Sequence, residues 1–133
     1  MHDAMPGTEE HLMNGMQSAY VGIDPTADSL HIGHLVGVMM LRHFQLAGHK
    51  PYALIGGATG MIGDPSGKEE TRKILSEKEI EKNIKNIEKI FKIFLKTKNP
   101  KTKPIFINNY KWLGKLNYIK FLREIGKHFT INK

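Results

Sequence analysis

Three short apolar runs, each ended by turn-forming residues and separated by stretches with a helical period, constrain this chain more than any other feature. Ser18–Ile23 stops at Asp24-Pro25, Pro51–Ile55 at Gly56-Gly57, and Ile105–Ile107 at Asn108-Asn109. Runs of this length bounded by Gly, Pro, Asn and Asp read as strands. Between the first two, His31–Ala47 sets Leu35, Val38, Met39, Leu41 and Leu46 mostly on one broad face, and Gly48 stops it. Ser76–Lys96 is the clearest helix. Ser76 and Glu79 form a capping box, and Ile80, Ile84, Ile87, Phe91, Phe94 and Leu95 recur at helical spacing. Asn117–Lys127 reads as a last helix, with Tyr118, Phe121, Leu122 and Ile125 inward. Strands alternating with helices imply an α/β fold with a parallel sheet and right-handed crossovers. In such sheets ligands bind beyond the carboxyl ends of the strands, which is where every unusual segment of this chain falls.

The 133 residues amount to one domain at most, and 40% hydrophobic content is enough to bury a core. Met1–Gln17 is polar and reads as an irregular arm or a short frayed helix, leaving 18–133 as the folded unit. With no cysteine, a disulfide framework and a thiolate metal site are both excluded, which fits a reducing cytosol. No apolar run has the length of a membrane span, and the arm has no signal-peptide stretch, so a cytoplasmic protein away from membranes is expected. The net charge of +7 suits anionic partners such as nucleotides or RNA, although the lysines concentrate between Lys68 and Lys133, on faces that solvent also accounts for.

The strand ends carry the chemistry. His31-Ile32-Gly33-His34 opens a helix, where free backbone N–H groups and the helix dipole favour a phosphate. Imidazoles add directed donors, and Gly33 permits close approach of a flat ligand; the competing reading is two surface histidines at a helix start. Tyr20 offers a hydroxyl to a substrate, or is a core tyrosine. Asp24 takes a substrate donor, or holds its turn. Thr26 meets a phosphate, or is a turn residue. Asp28 and Ser29 are expected to cap the helix.

The stretch Gly56–Lys68 contains five glycines, which allow positive φ and close backbone approach. Its carboxylate, Asp64, suits an ammonium group or a ribose, and Lys68 and Arg72 add cations at helical spacing. The stretch is neither a P-loop nor a dinucleotide fingerprint. There is no nucleophile elbow and no pair of carboxylates for acid–base work. His31 and His34 are spaced for a metal, but no third ligand stands at an obvious spacing, so no metal site is expected.

These segments resemble the bacterial-type tyrosyl-tRNA synthetases of class I. The resemblance rests on Tyr20 to Leu35, Phe44 to Pro51, Gly56 to Lys68, Asn108 to Trp112 and Phe121 to Phe129, while 73–104 match in helical character only. A His-x-Gly-His tetrapeptide alone marks a broad nucleotidylyl-transferring superfamily; the glycine-rich Asp-Pro-Ser loop beside it is far more specific. The resemblance implies a Rossmann-like catalytic domain, incomplete on its C-terminal side. It also implies tyrosine activation by ATP followed by transfer to tRNA(Tyr). Tyr20, Asp64 and Asn109 would bind tyrosine. Asp24, Thr26, His31, Gly33 and His34 would bind ATP, and Lys68 and Arg72 would reach pyrophosphate. Magnesium would travel with ATP, with no tightly bound cofactor, and the intact enzyme would be a homodimer. Lys111 departs from the aspartate usual in the family. The chain lacks the Lys-Met-Ser-Lys-Ser-type loop and the anticodon-binding domains, so an inactive amino-terminal piece is expected. The alternatives are another class I-type ligase or nucleotidylyltransferase, and a non-catalytic basic RNA-binding module.

Overall fold

The structure, a computed structural model, describes residues 4–62 and 75–129. In chain order the elements are α1 (Thr8–Met13), β1 (Ser18–Ile23), α2 (Ile32–Leu46), β2 (Lys50–Ile55), α3 (Thr59–Ile62), α4 (Glu77–Phe94), β3 (Ile105–Asn108), α5 (Tyr110–Leu113), α6 (Tyr118–Glu124) and a 3-10 turn, Gly126–His128. The strands form one sheet in the order β1-β2-β3, and both pairings are parallel. The fold is therefore the parallel α/β arrangement expected from the alternation, and it agrees with the Rossmann-like fold that the resemblance implies.

Helices α2 and α4 pack against each other, and both cover the same face of the sheet. Ile23, Val38, Leu41, Ala53, Ile55, Ile87, Phe91 and Leu95 make one buried cluster there. Strand β2 shows the resulting alternation: Pro51, Ala53 and Ile55 are buried, while Lys50, Tyr52 and Leu54 are only partly covered. The start of α4 is the capping box read from the sequence, with Ser76 Oγ accepting from Glu79 N and the Glu79 carboxylate accepting from Ser76 N. Gly48 follows the C-cap of α2 at φ 96°, a left-handed conformation that glycine adopts without steric cost.

Three expectations change. Leu46 is 63% exposed, because the inward row of α2 is Val38, Leu41 and Gln45, and Leu46 lies one residue, about 100° of helix rotation, off that row. Gln45 takes the inward place by satisfying orphan carbonyls. Its Nε2 donates to Leu95 O at 3.0 Å, where α4 ends, and to Thr102 O at 2.8 Å in the loop before β3, and its Oε1 accepts from Arg42 at 2.6 Å. The second change is at α6, where Tyr118, Phe121, Leu122 and Ile125 are exposed rather than inward. That helix packs chiefly on the Gly126–His128 turn instead of on the sheet. The third is β1, an apolar run expected as a buried strand, which is covered on one face only.

Phe91 is fully buried at the centre of the cluster. Phe91→Ala is expected to cost about 3–5 kcal/mol through lost burial and the cavity left behind. Urea denaturation followed by circular dichroism measures it, as a lowered midpoint at unchanged slope.

A candidate ligand site at the carboxyl edge of the sheet

Register builds the site. Ile23 pairs with Ile55, and Ile55 with Asn108, so the residues that follow each strand end come out side by side. Gly56 N donates to Ile23 O at 2.9 Å and Asn109 N to Ile55 O at 3.1 Å, carrying the parallel pairing one residue past the strand ends. Asp24, Gly56 and Asn109 thus share one edge.

Side chains then close across that edge. Asn109, buried at 7% exposure, accepts from Ala58 N at 2.7 Å and donates through Nδ2 to Thr59 Oγ1 at 3.1 Å. The Thr59 hydroxyl donates to Asp24 Oδ1 at 2.6 Å. From α4, the buried Asn83 donates to Pro25 O at 3.0 Å, while Thr26 N donates to Asp24 O at 2.9 Å. The turn Asp24–Thr26 is therefore held from two sides. The glycines of the loop have a more specific reason than the sequence suggested. Gly56, Gly57 and Gly60 do not take positive φ. What they supply is space: a Cβ at Gly56 would run into the Asp24 carboxylate and the Thr59 hydroxyl, one at Gly57 into the Asn108 side chain, and one at Gly60 into the Pro25 ring at 2.8 Å.

At the start of α2 the N-cap is His31, not Asp28 or Ser29. Its Nδ1 accepts from Gly33 N at 3.1 Å, and His31 N donates back to His34 Nδ1 at 3.4 Å, a capping box built from two imidazoles. The rings stack at 3.8 Å between centroids. A Cβ on residue 33 would sit 2.9 Å from the His31 ring, so Gly33 is what lets that ring fold back over the helix start. With Nδ1 of His31 accepting from the backbone, the neutral ring carries its proton on Nε2, as a donor. Burial, and secondarily the neighbouring His31, hold the His34 pKa below its ordinary value of 6.5.

Tyr20 stands apart from both groups. It lies on the sheet face away from α2 and α4, is 68% exposed, and lines a cleft of about 380 Å³ with Tyr52, Leu54, Ile107 and Trp112. Among the described residues it is therefore outside the buried cluster. Asp64, Lys68 and Arg72 lie outside the described residues. Among the described residues no three His, Cys, Asp or Glu side chains converge on a common point, and no helix is long and apolar enough to cross a membrane. Thr59 and Asn83 were missed by the sequence reading. Asn83 carried a usable signal, a polar residue in line with Ile80, Ile87 and Phe91; Thr59 carried only its place among small residues.

A family model described as tRNA synthetases class I (W and Y) matches residues 13–133. This chain belongs to that family. Its relatives include the tyrosine–tRNA ligase of Pelagibacter ubique, 66% identical over 115 residues, covering 86% of this chain and 28% of that protein. The tyrosine–tRNA ligase of Porphyromonas gingivalis is 59% identical over 133 residues, covering 99% of this chain and 31% of that protein. The chain thus spans about a third or less of the length of these curated relatives. Among solved structures, a C-terminally truncated Aspergillus nidulans mitochondrial tyrosyl-tRNA synthetase superimposes with a TM-score of 0.72 at 26% identity, over 86% of this chain and 35% of that one. The Archaeoglobus fulgidus tyrosyl-tRNA synthetase complexed with L-tyrosine, at 22% identity and a TM-score of 0.67 over 94% of this chain and 37% of that one, shares the fold. In this class I synthetase family member, the two-histidine helix start and the described part of the glycine-rich stretch, 56–62, thus stand on a shared fold.

The lowered His34 pKa makes the helix start sensitive to pH. The folded state binds a proton at His34 more weakly than the unfolded chain, so stability falls as pH drops from 6.5 toward the folded pKa. Titration of the His34 ring by nuclear magnetic resonance is expected to give a midpoint below 6.5 that His31→Ala moves only part of the way back, burial being the larger cause.

Proposed function

We propose that the whole protein activates tyrosine with ATP, forming tyrosyl-adenylate and pyrophosphate, and passes the tyrosyl group to tRNA(Tyr). The observation that carries this reading is the 59% identity to a tyrosine–tRNA ligase along 99% of the chain. In the reaction a carboxylate oxygen of tyrosine bonds to the α-phosphorus of ATP, and the bond to the bridging oxygen of pyrophosphate breaks. No side-chain nucleophile is needed. Catalysis then rests on positioning and on donors aimed at the phosphates.

His31 and His34 supply those donors at the positive end of α2, with Thr26 beside the turn and Gly33 against the adenosine. Lys68 and Arg72 meet pyrophosphate. Tyr20 meets the substrate phenol, Asp64 the ammonium, and Asp24 the nucleotide. Asn109 acts on the substrate side through the loop that it clamps. Magnesium enters with the phosphates of ATP. We infer a cytoplasmic homodimer.

Tyrosine-dependent ATP–pyrophosphate exchange by the whole protein tests the reading; exchange that responds to tryptophan instead of tyrosine overturns it. Two variants assign the roles. His34→Ala is expected to slow adenylate formation by about 100- to 1,000-fold with little change in tyrosine affinity, the usual loss for one preorganised donor. Tyr20→Phe is expected to narrow the preference for tyrosine over phenylalanine, because a hydroxyl waiting for the phenol is what rejects phenylalanine, an effect of which tyrosyl-tRNA synthetases are themselves an example. An unmoved ratio of kcat/KM values removes Tyr20 from the site.

A further inference from the structure

We propose that Thr59 is a positioning residue whose hydroxyl joins the Asn109 amide to the Asp24 carboxylate, fixing the direction in which Asp24 meets a bound nucleotide. The inference rests on the proposed function for the identity of that ligand, and on geometry for everything else.

The polarity of every link is forced. A backbone N–H can only donate, so the Asn109 atom 2.7 Å from Ala58 N is the amide oxygen. That turns Nδ2, a donor only, toward Thr59 Oγ1 at 3.1 Å, and the threonine oxygen must accept. Thr59 then has one proton left to donate. Asp24 Oδ1 stands at 2.6 Å and Gly56 O at 3.3 Å; the carboxylate is both nearer and charged, so it takes the proton. Two of these bonds, Asn109 to Thr59 and Thr59 to Asp24, run one way, from the end of β3 across the loop after β2 to the end of β1, and bonds aligned in series strengthen one another.

The surroundings are built for this contact. The relay starts at Asn109, which is 7% exposed, and ends on a carboxylate at the exposed edge. Threonine is β-branched and stiff at χ1, so its hydroxyl keeps a fixed aim where a serine turns more freely. Gly56 is the residue whose missing side chain leaves room for the Asp24 and Thr59 oxygens to meet. Asn83 fixes the backbone of the same turn through Pro25 O. Backbone and carboxylate of the β1 turn are thus pinned by separate residues, Asn83 and Thr59.

The test uses steady-state pyrophosphate exchange by the whole protein. Thr59→Val keeps the shape and removes the hydroxyl. It is expected to lower kcat/KM for ATP by about 10- to 100-fold, with the KM for tyrosine moving by no more than about twofold. Thr59→Ser is expected to recover most of that loss. In an Asp24→Asn background, Thr59→Val is expected to cost no more than about twofold, since the two residues act as one unit. Equal effects on both substrates, no recovery with serine, or additive losses with Asp24→Asn overturn the proposal. A readout free of activity is the Asn109 side-chain amide in nuclear magnetic resonance spectra. Asp24→Asn, two bonds away along the relay, is expected to shift an Nδ2 proton, and an unmoved resonance overturns the relay. Wild-type protein without tyrosine-dependent exchange counts against the proposed function instead, and the amide resonance then decides the relay by itself.

Discussion

Parallel pairing in fixed register is the constraint on which the rest of this structure depends. Because Ile23, Ile55 and Asn108 pair across the sheet, the chain leaves all three strands along one edge, and Asp24, Gly56 and Asn109 arrive abreast. An antiparallel neighbour would have sent one of these segments to the opposite edge. A slip of one residue would have turned every inward side chain outward, so burial of Ala53 and Ile55 on β2 holds the register that the site needs.

The core and the site are mechanically continuous. Phe91 and Ile87 seat α4 against α2 and the sheet, and the same helix then presents Asn83 to the carbonyl of Pro25. Gln45 makes a similar join at the far end, tying α2 to the C-cap carbonyl of α4 and to Thr102 O in the loop before β3. Both are polar side chains on otherwise apolar faces. Each is tolerated because it satisfies backbone groups that would otherwise be buried without partners. The edge that carries the candidate site therefore inherits its rigidity from packing on one face of the sheet. The other face, with Tyr20, Tyr52 and Leu54, is left to a cleft.

Much of this was legible in the chain itself. Short apolar runs ended by Asp-Pro, Gly-Gly and Asn-Asn place the strands to within a residue, and the capping pair Ser76 and Glu79 marks the start of α4. Two imidazoles around a glycine do open a helix. The less legible parts depend on contacts between segments distant in sequence. Asp28 and Ser29 have the right chemistry for an N-cap, yet the helix begins later, because His31 itself can accept from Gly33 N once its ring folds back. The apolar residues of α6 look inward by period alone, but a period says only that a face exists and nothing about what covers it.

Composition and spacing by themselves determined the order of the three strands and the longer helices between and after them, the parallel α/β class and the crowding of unusual residues at the strand ends, because hydrophobic period and turn chemistry act within a few residues; the short α3 and α5 were not among them. Tertiary structure alone decided which of those residues meet. The bond from Thr59 to Asp24 spans 35 residues and that from Asn83 to Pro25 spans 58. No local rule reports a hydrogen bond across such a gap. It exists only after the sheet register and the seat of α4 have brought donor and acceptor together, and after Gly56, Gly57 and Gly60 have left the space in which those side chains close.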